Sequence, residues 1–518
     1  VQQSIPIDQI YEDGTWRCGN VYSQMWSMPD INFTMSDEDN KAKILNLLGK
    51  VYMGVPSDCW LKICIVSQRM DEKSFRENVL LHRNLDGLDK WRVERNRRIL
   101  QCVQDAGNVV QHKYLILSTN KQNVTDARSR LRQVQGNLLA ELSNLGCTIK
   151  PMTNNERLEV LHNFFRRGEE GRFQFSFDGY GKLGNDFRNT IAPDVMRCTT
   201  KYTEIDDGFA KAMTIAQYPQ QLSDNFVATL LQQVPYIVLS IDITPVETED
   251  AMREIEASQM KIDSEKYRAN RRNVENLDFM ATISPRNQQQ EKYTAEIRNA
   301  ICEGDQQVFM VLLSVAFFAD TLEEIKQETD ALQSAAANFN CRFTEMRFQQ
   351  ENCFNTAMPY GLRRVESSHM MLTRSVTALV PFVAQEVQSP QGIFYGRNAI
   401  TGNLIVGDRT KLINGNAMVI ATSGSGKSMS VKMEIIMEFL RWPNARFILV
   451  DPENEYELLV KALGGEAKSI ETMKSQYATA ESRVAMVKKQ MDDSRKEKKE
   501  IERILAQLSA DAAAHKDD

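Results

Sequence analysis

Ala421 to Ser428 read A-T-S-G-S-G-K-S. Two closely spaced glycines followed at once by lysine and serine make the Walker A pattern, with Ala421 where the pattern has its first glycine. Gly424 and Gly426 let the backbone curl. The N–H groups from Ser423 through Ser425 to Met429 then meet phosphate oxygens with no Cβ in the way. Lys427 puts a point charge on the β- and γ-phosphates, and the Ser428 hydroxyl stands where Mg²⁺ needs an oxygen. A helix starting here points its positive end at the same phosphates. The chemistry implied is nucleotide binding, ATP with Mg²⁺, and Lys427 is the first catalytic candidate. The position of Ala421 asks for a tight turn more than for phosphate contact, so a small residue suits it.

Such a loop needs a strand to deliver it and a helix to carry the chain away. Ala417 to Ile420 is apolar and predicts the strand. Met429 to Arg441 is apolar nearly all round and predicts a helix buried against a sheet, ended by Pro443. "RFILVD", Arg446 to Asp451, predicts the second strand of a βαβ unit.

At 518 residues the chain has room for about three or four domains. A net charge of −6 argues against one broad nucleic-acid surface. No apolar run approaches the ~20 residues of a membrane helix; the longest, Val308 to Ala319, reads as a buried strand. The opening "VQQSIPIDQIYEDG" lacks the basic and apolar regions of a signal peptide. Nine scattered cysteines without a C-x-x-C pair suit reduced thiols in the cytosol, and neither they nor the five histidines have metal-site spacing.

Upstream of the loop, Cys59 to Val66, Lys113 to Thr119 and the stretch from Cys147 read as strands. Asn123 to Gly146 reads as an amphipathic helix with an Asn cap and a Gly stop. Pro235 to Glu247 predicts a strand leading into a charged helix over about Thr248 to Asn276, and Ser284 to Ile301 another helix. The Val308 strand, a helix over Asp320 to Phe339 and a strand over Cys341 to Gln349 read as a β-α-β unit. Leu322, Ile325, Thr329 and Leu332 give that helix an apolar stripe. These readings divide the chain into an α+β subdomain (1–150), a second α+β and helical subdomain (151–385), a partial α/β P-loop domain (386–465) and a charged helical tail (466–518).

Four further segments keep a fixed order with the loop: "ENCFNTAMPYG" (Glu351 to Gly361), "LTRSVTALVPF" (Leu372 to Phe382), "FYGRNAITGNLIVGDR" (Phe394 to Arg409) and "VDPENEY" (Val450 to Tyr456). The set resembles the conjugation ATPases of type IV secretion systems, the VirB-four or TraC/TraE-type proteins, especially those of Gram-positive mobile elements. The resemblance covers roughly residues 5 to 465. It implies a RecA-like ATPase domain behind an α+β region that contacts inner-membrane channel subunits. It also implies a homo-oligomer, often hexameric, peripheral at the cytoplasmic face of the cell membrane and acting indirectly on a DNA or protein substrate. "DPENEY" also resembles HerA/FtsK-type motors, in which an acidic group near the γ-phosphate polarises water. Asp451 and Glu455 are the candidates, and Glu455 reads equally as part of a turn that caps the next helix.

A Walker B strand, whose Asp orders Mg²⁺ and whose Glu activates water, has no match between Asp451 and Asp518. Tyr236 to Asp242 has its texture but precedes the loop and belongs elsewhere. Hydrolysis by this chain is therefore doubtful on sequence grounds. After Lys461 to Gly465 the chain becomes a charged helix with a heptad seam, from Ile470 and Met473 to Leu505 and Leu508, interrupted at Ser494 and Lys498. A coiled coil or a helical hairpin would bury it, and "DDSRKEKKE" (Asp492 to Glu500) is either a hinge or a solvated face. Folding back over the Arg446 strand is a further expectation for this tail. Besides the secretion ATPase, two functions stay open: a non-catalytic docking or scaffold subunit, and a DNA-translocating motor fragment.

Overall fold

The computed structural model describes residues 2–34, 36–69, 72–104, 109–169, 172–177, 186–219, 221–275, 295–300, 306–383, 387, 389–398, 403–412, 414–422, 424–468 and 470–514. Two compact units result, Val1–Ala417 and Met418–Asp518. The chain is mixed α/β, with a large antiparallel sheet in the first unit and a long C-terminal helix in the second.

The strands that begin the first unit are β1 (Gln9–Ile10), β2 (Trp16–Cys18), β3 (Val21–Met28), β4 (Cys59–Arg69), β5 (Val109–Asn120) and β6 (Lys150–Pro151). They are followed by β7 (Met196–Cys198), β8 (Thr203–Ile205), β9 (Gly208–Gln217), β10 (Ile237–Pro245) and β11 (Val308–Ala319). Two short strands, β12 (Arg342–Glu345) and β13 (His369–Leu372), complete a 13-stranded sheet. Its main path runs β1-β2-β3-β5-β4-β10-β11-β9-β8-β7. A separate hairpin pairs β14 (Ile393–Arg397) with β15 (Leu404–Gly407).

The helices of this unit are α1 (Glu38–Met53), α2 (Glu72–Asn78), α3 (Asp89–Gln104), α4 (Val124–Asn144), α5 (Asn154–Phe165) and α6 (Phe226–Leu231). After α7 (Thr248–Glu275) and a short helix α8 (295–300) come α9 (Leu322–Asn338), α10 (Gln350–Ala357) and α11 (Thr373–Thr377).

Strand periodicity sorts the core into two layers. Leu61, Ile63 and Ile65 of β4, with Leu239 and Ile241 of β10, pack beneath α1, α4, α6 and α9. Cys64, Val66 and Val238 turn to the other face, beneath α5 and α10. Covered on both sides, β11 is buried at every position but Met310, which explains an apolar run interrupted only by Ser314. Each fully buried aliphatic side chain here contributes about 1.5–3 kcal/mol, so side-chain burial rather than any single polar contact holds the sheet.

Local signals do their expected work. Asn123 caps α4 by accepting the Asp126 N–H at 2.9 Å, and Gly146, at φ 80°, follows its end. Thr321 and Glu324 form a capping box on α9. On that helix Ile325, Thr329 and Leu332 are buried, but Leu322, the first helical residue, is 44% exposed.

Several expectations need correction. The stretches 1–150 and 151–385 share one sheet, joined where β4 pairs with β10 from Leu61↔Ile243 to Ser67↔Ile237. β11, α9 and β12 are not a simple β-α-β unit, since β9 pairs antiparallel with both strands and lies between them. Of the strand expected over Cys147 to Met152, only Lys150–Pro151 joins the sheet. Of the helix expected over Ser284 to Ile301, residues 295–300 are helical and the others lie outside the described residues. Tyr236 to Asp242 runs into β10 at the centre of the sheet, in the first unit, whereas the phosphate loop belongs to the second.

The motif Glu351 to Gly361 has a structural role. Its end crosses the sheet and is fixed by donors from below. Ser240 Oγ donates to Ala357 O (2.5 Å), Ser23 Oγ to Tyr360 O (3.1 Å) and Trp60 Nε1 to Gly361 O (3.2 Å). Gly361 sits at φ 82°, and a Cβ there would lie 2.5 Å from Ser118 Oγ, so close approach and backbone conformation both demand glycine.

The second unit holds α12 (Lys427–Arg441), α13 (Glu457–Ala462) and α14 (Ile470–Ala514). Neither Ala417 to Ile420 nor Arg446 to Asp451 forms a strand. Among the described residues neither makes a backbone hydrogen bond, and Met418 and Ile448 are 85% and 90% exposed. The apolar composition is strand-like, but a strand exists only by pairing, and no ladder partner is at hand. α12 consequently buries only Met437 and Leu440 rather than a whole apolar surface. α14 is one continuous helix through Asp492 to Glu500, which are a solvated face and not a hinge. Neither a hairpin nor a fold back over the Arg446 segment forms, since the helix is exposed wherever its side chains are described.

Candidate functional site

The phosphate loop stands at the head of α12. Gly424 has φ 78° and Gly426, the N-cap, φ 92°, both in the left-handed region that L side chains avoid. Between them Ser425 closes the turn on Thr422: its N–H reaches Thr422 O at 3.3 Å and its hydroxyl donates to the same carbonyl at 2.8 Å. The first helical bond runs from Ser430 N–H to Gly426 O at 3.0 Å. Among the described residues no side chain caps the N–H groups of Lys427, Ser428 and Met429. Lys427 is exposed and makes no ion pair among the described residues. Ser428 is half-buried and Met429 exposed, while Ser423 lies outside the described residues.

An uncapped 15-residue helix supplies a positive end, and two left-handed glycines hold the approach to it open, with no atom within 4 Å of either Cβ position. Lys427 adds a cation to the same end. The donor set therefore suits a phosphate chain, and the Ser428 hydroxyl in the first turn suits a hard cation carried with it.

"DPENEY" folds into a tight turn that belongs to α13 as much as to the loop. Asp451 Oδ2 accepts the Tyr456 N–H at 2.7 Å, and Asn454, at φ 58°, donates to Glu457 Oε2 at 2.8 Å. Glu455 approaches Lys432 of α12, with 4.0 Å between Oε2 and Nζ, and Lys432 also lies over the Tyr456 ring at 5.1 Å. Lys432 is four residues beyond Ser428 and so on the same face, about 6 Å further along the axis. The turn thereby docks beside the second turn of α12, and Phe439 against Phe447 (5.8 Å between ring centres) ties the far end. Of the sequence-predicted acids, Asp451 closes the turn that precedes α13 and Glu455 is the one held by a lysine; neither caps α13. Lys432 is the residue that sequence reasoning missed; its spacing from Ser428 was the available signal.

Glu328, with a buried Oε2, has its carboxyl pushed up to about 7 by burial and by the neighbouring Glu324, against the pull of Arg167. The eight described cysteines are free thiols, and no cluster of possible metal ligands occurs among the described residues. No helix among them is long and apolar enough to cross a membrane.

A scan against protein-family models finds no match, and a comparison with curated proteins finds none either.

Proposed function

We propose that this chain is an ATP-binding component of a conjugative type IV secretion system, energising or scaffolding channel assembly and the transfer of DNA or protein. The observation that carries the reading is the loop itself: Gly424 and Gly426 at φ 78° and 92°, opening onto an uncapped α12 with Lys427 exposed at its first position. In this reading residues 386–465 belong to a RecA-like domain. The apolar segments flanking α12 are unpaired in this structure, and in this reading they become strands only when a neighbouring strand pairs with them. Lys427 and the N–H groups up to Met429 hold the phosphates, and Ser428 supplies an oxygen to Mg²⁺. The Mg²⁺ neutralises phosphate charge when bound. Assignment to the secretion machine rests on the ordered segments from Glu351 to Tyr456. The first unit is then the surface that meets inner-membrane channel subunits, and the protein sits peripherally on the cytoplasmic face.

Isothermal titration of the full chain with ATP and Mg²⁺ tests the core of the reading. Saturable binding is expected, weakened at least about tenfold by Lys427→Ala, which removes a charged contact of about 1.5–3 kcal/mol. Binding that ignores this substitution overturns it. Capture of channel subunits from detergent-solubilised conjugative donor membranes by residues 1–417 tests the assignment to secretion; capture by the second unit alone overturns that placement.

A further inference from the structure

α14 is 45 residues long, about 68 Å, and its seam faces water. Met473, Tyr477, Val484, Val487, Met491 and Leu505 are all more than half exposed. A strict 3-4 apolar repeat over this length imposes a left-handed supercoil with another helix. The charges beside the seam say which helix, and in which direction.

We propose that two copies of this chain pair through α14 as an antiparallel coiled coil centred at the level of Lys489. With Tyr477, Val484 and Met491 as a positions and Met473, Ala480 and Val487 as d positions, the e positions include Lys474, Glu481, Lys488, Arg495 and Glu502. The g positions include Arg483, Gln490 and Glu497. In an antiparallel pair e faces e and g faces g. This register sets Lys474 against Glu502, Glu481 against Arg495 and Arg483 against Glu497, each twice by symmetry. Lys488 meets itself at the centre, the one like-charge contact.

Other arrangements lose this match. A parallel in-register pair brings Arg483 to Lys488 and Glu497 to Glu502, and stacks Lys498 on Lys498 inside the seam. Sliding the antiparallel pair by one heptad brings Glu481 to Glu502 and Lys488 to Arg495; sliding it the other way brings Lys474 to Arg495. The two interruptions of the seam fall into place as well. Ser494 lies opposite Val484 of the second copy, and Lys498 opposite Ala480, whose small side chain lets the lysine stem lie flat while its ammonium reaches water. In the single chain Glu502 is 3.9 Å from Lys498 with both side chains exposed, a contact weak enough to exchange for one across the pair. The pairing does not depend on nucleotide.

Sedimentation equilibrium of the full chain is expected to show a species of twice 59.2 kDa. With p-benzoylphenylalanine at position 484, irradiation and tryptic mapping should join that position to the peptide containing Ser494. Glu497→Arg should weaken the dimer about tenfold, and adding Arg483→Glu should restore it, with unchanged helix content by circular dichroism. A parallel pair would instead tighten on Glu497→Arg and cross-link position 484 to its own counterpart. Either of those results, a monomer at about 50 µM, or a dimer indifferent to Glu497→Arg overturns the proposal.

Discussion

Lys62 of β4 and Asp242 of β10 face each other across the two central strands of the sheet, with Nζ 3.0 Å from Oδ2 and both side chains wholly buried. The ammonium also donates to the carbonyls of Thr356 and Leu362, so it holds the segment that crosses the sheet as well as the opposing strand. Burial raises the Asp242 carboxyl above its ordinary range while Lys62 pulls it back. Lys62→Met should therefore cost about 3–5 kcal/mol at pH 7, because it leaves a buried charge alone. Lys62→Met with Asp242→Leu should recover most of that loss. Without Lys62 the carboxyl rises further, so the cost of the single change should shrink as pH falls and the acid takes up its proton. Urea midpoints at pH 7 and 5 check both statements.

Gly426→Ala separates backbone conformation from contact. The added methyl meets nothing within 4 Å, yet φ 92° is strained for alanine by about 1–2 kcal/mol. The loop should relax away from its left-handed turn, and ATP binding should fall roughly tenfold with helix content unchanged. Gly424→Ala, at φ 78°, should behave alike. Titration calorimetry beside circular dichroism reads the two effects separately.

Glu328→Gln carries a pH signature. A carboxyl lifted to about 7 in the folded chain holds its proton where the unfolded chain has lost it. Native stability therefore falls as pH rises from about 4.3, the unfolded value, to about 7, and the penalty is complete above that. The glutamine variant escapes it. It should be more stable than the parent at pH 8 by an amount on the order of 1 kcal/mol, after solvent screening at a half-buried site, with no gain at pH 4. Thermal melts across that range measure the difference.

Steady ATP turnover by this chain should be far below the ~1 s⁻¹ at the low end of ordinary enzymes. Asp451 accepts the Tyr456 N–H at 2.7 Å and Glu455 faces Lys432 at 4.0 Å, so both carboxylates are engaged in holding the turn. A phosphate-release assay showing turnover on the order of 1 s⁻¹, abolished by Lys427→Ala, would show that one of them is free to act on water.

What the sequence disclosed followed from which forces are local. The cap at Asn123, the stop at Gly146 and the buried run Val308 to Ala319 are written in a few adjacent residues each, and the structure has them there. The glycine loop was legible for the same reason, and the helix expected from Met429 starts two residues earlier, at Lys427. Strand status at Ala417 to Ile420 was not, because composition shows only that a segment would suit a sheet, not that a partner is present. The insertion of β9 between β11 and β12 depends on pairing across more than a hundred residues and leaves no local trace. Lys62 and Asp242 did leave one: each is a lone charge in an apolar strand, which only a partner at the same depth makes tolerable.

The junction of β4 with β10 also has a consequence in time. Roughly 170 residues separate the two strands, so a ribosome adding ~5–20 residues per second delivers β10 some 10–30 s after β4. Once β5 has followed it, β4 is flanked on one side only, and until β10 arrives its other side is an open, apolar edge of the kind that recruits foreign strands. The ammonium of Lys62, near the start of that edge, is not yet matched by Asp242, and a buried charge without its partner disfavours an apolar strand in the place of β10. A residue that reads in the finished fold as half of a buried ion pair is thus, during synthesis, a charge that waits for its partner.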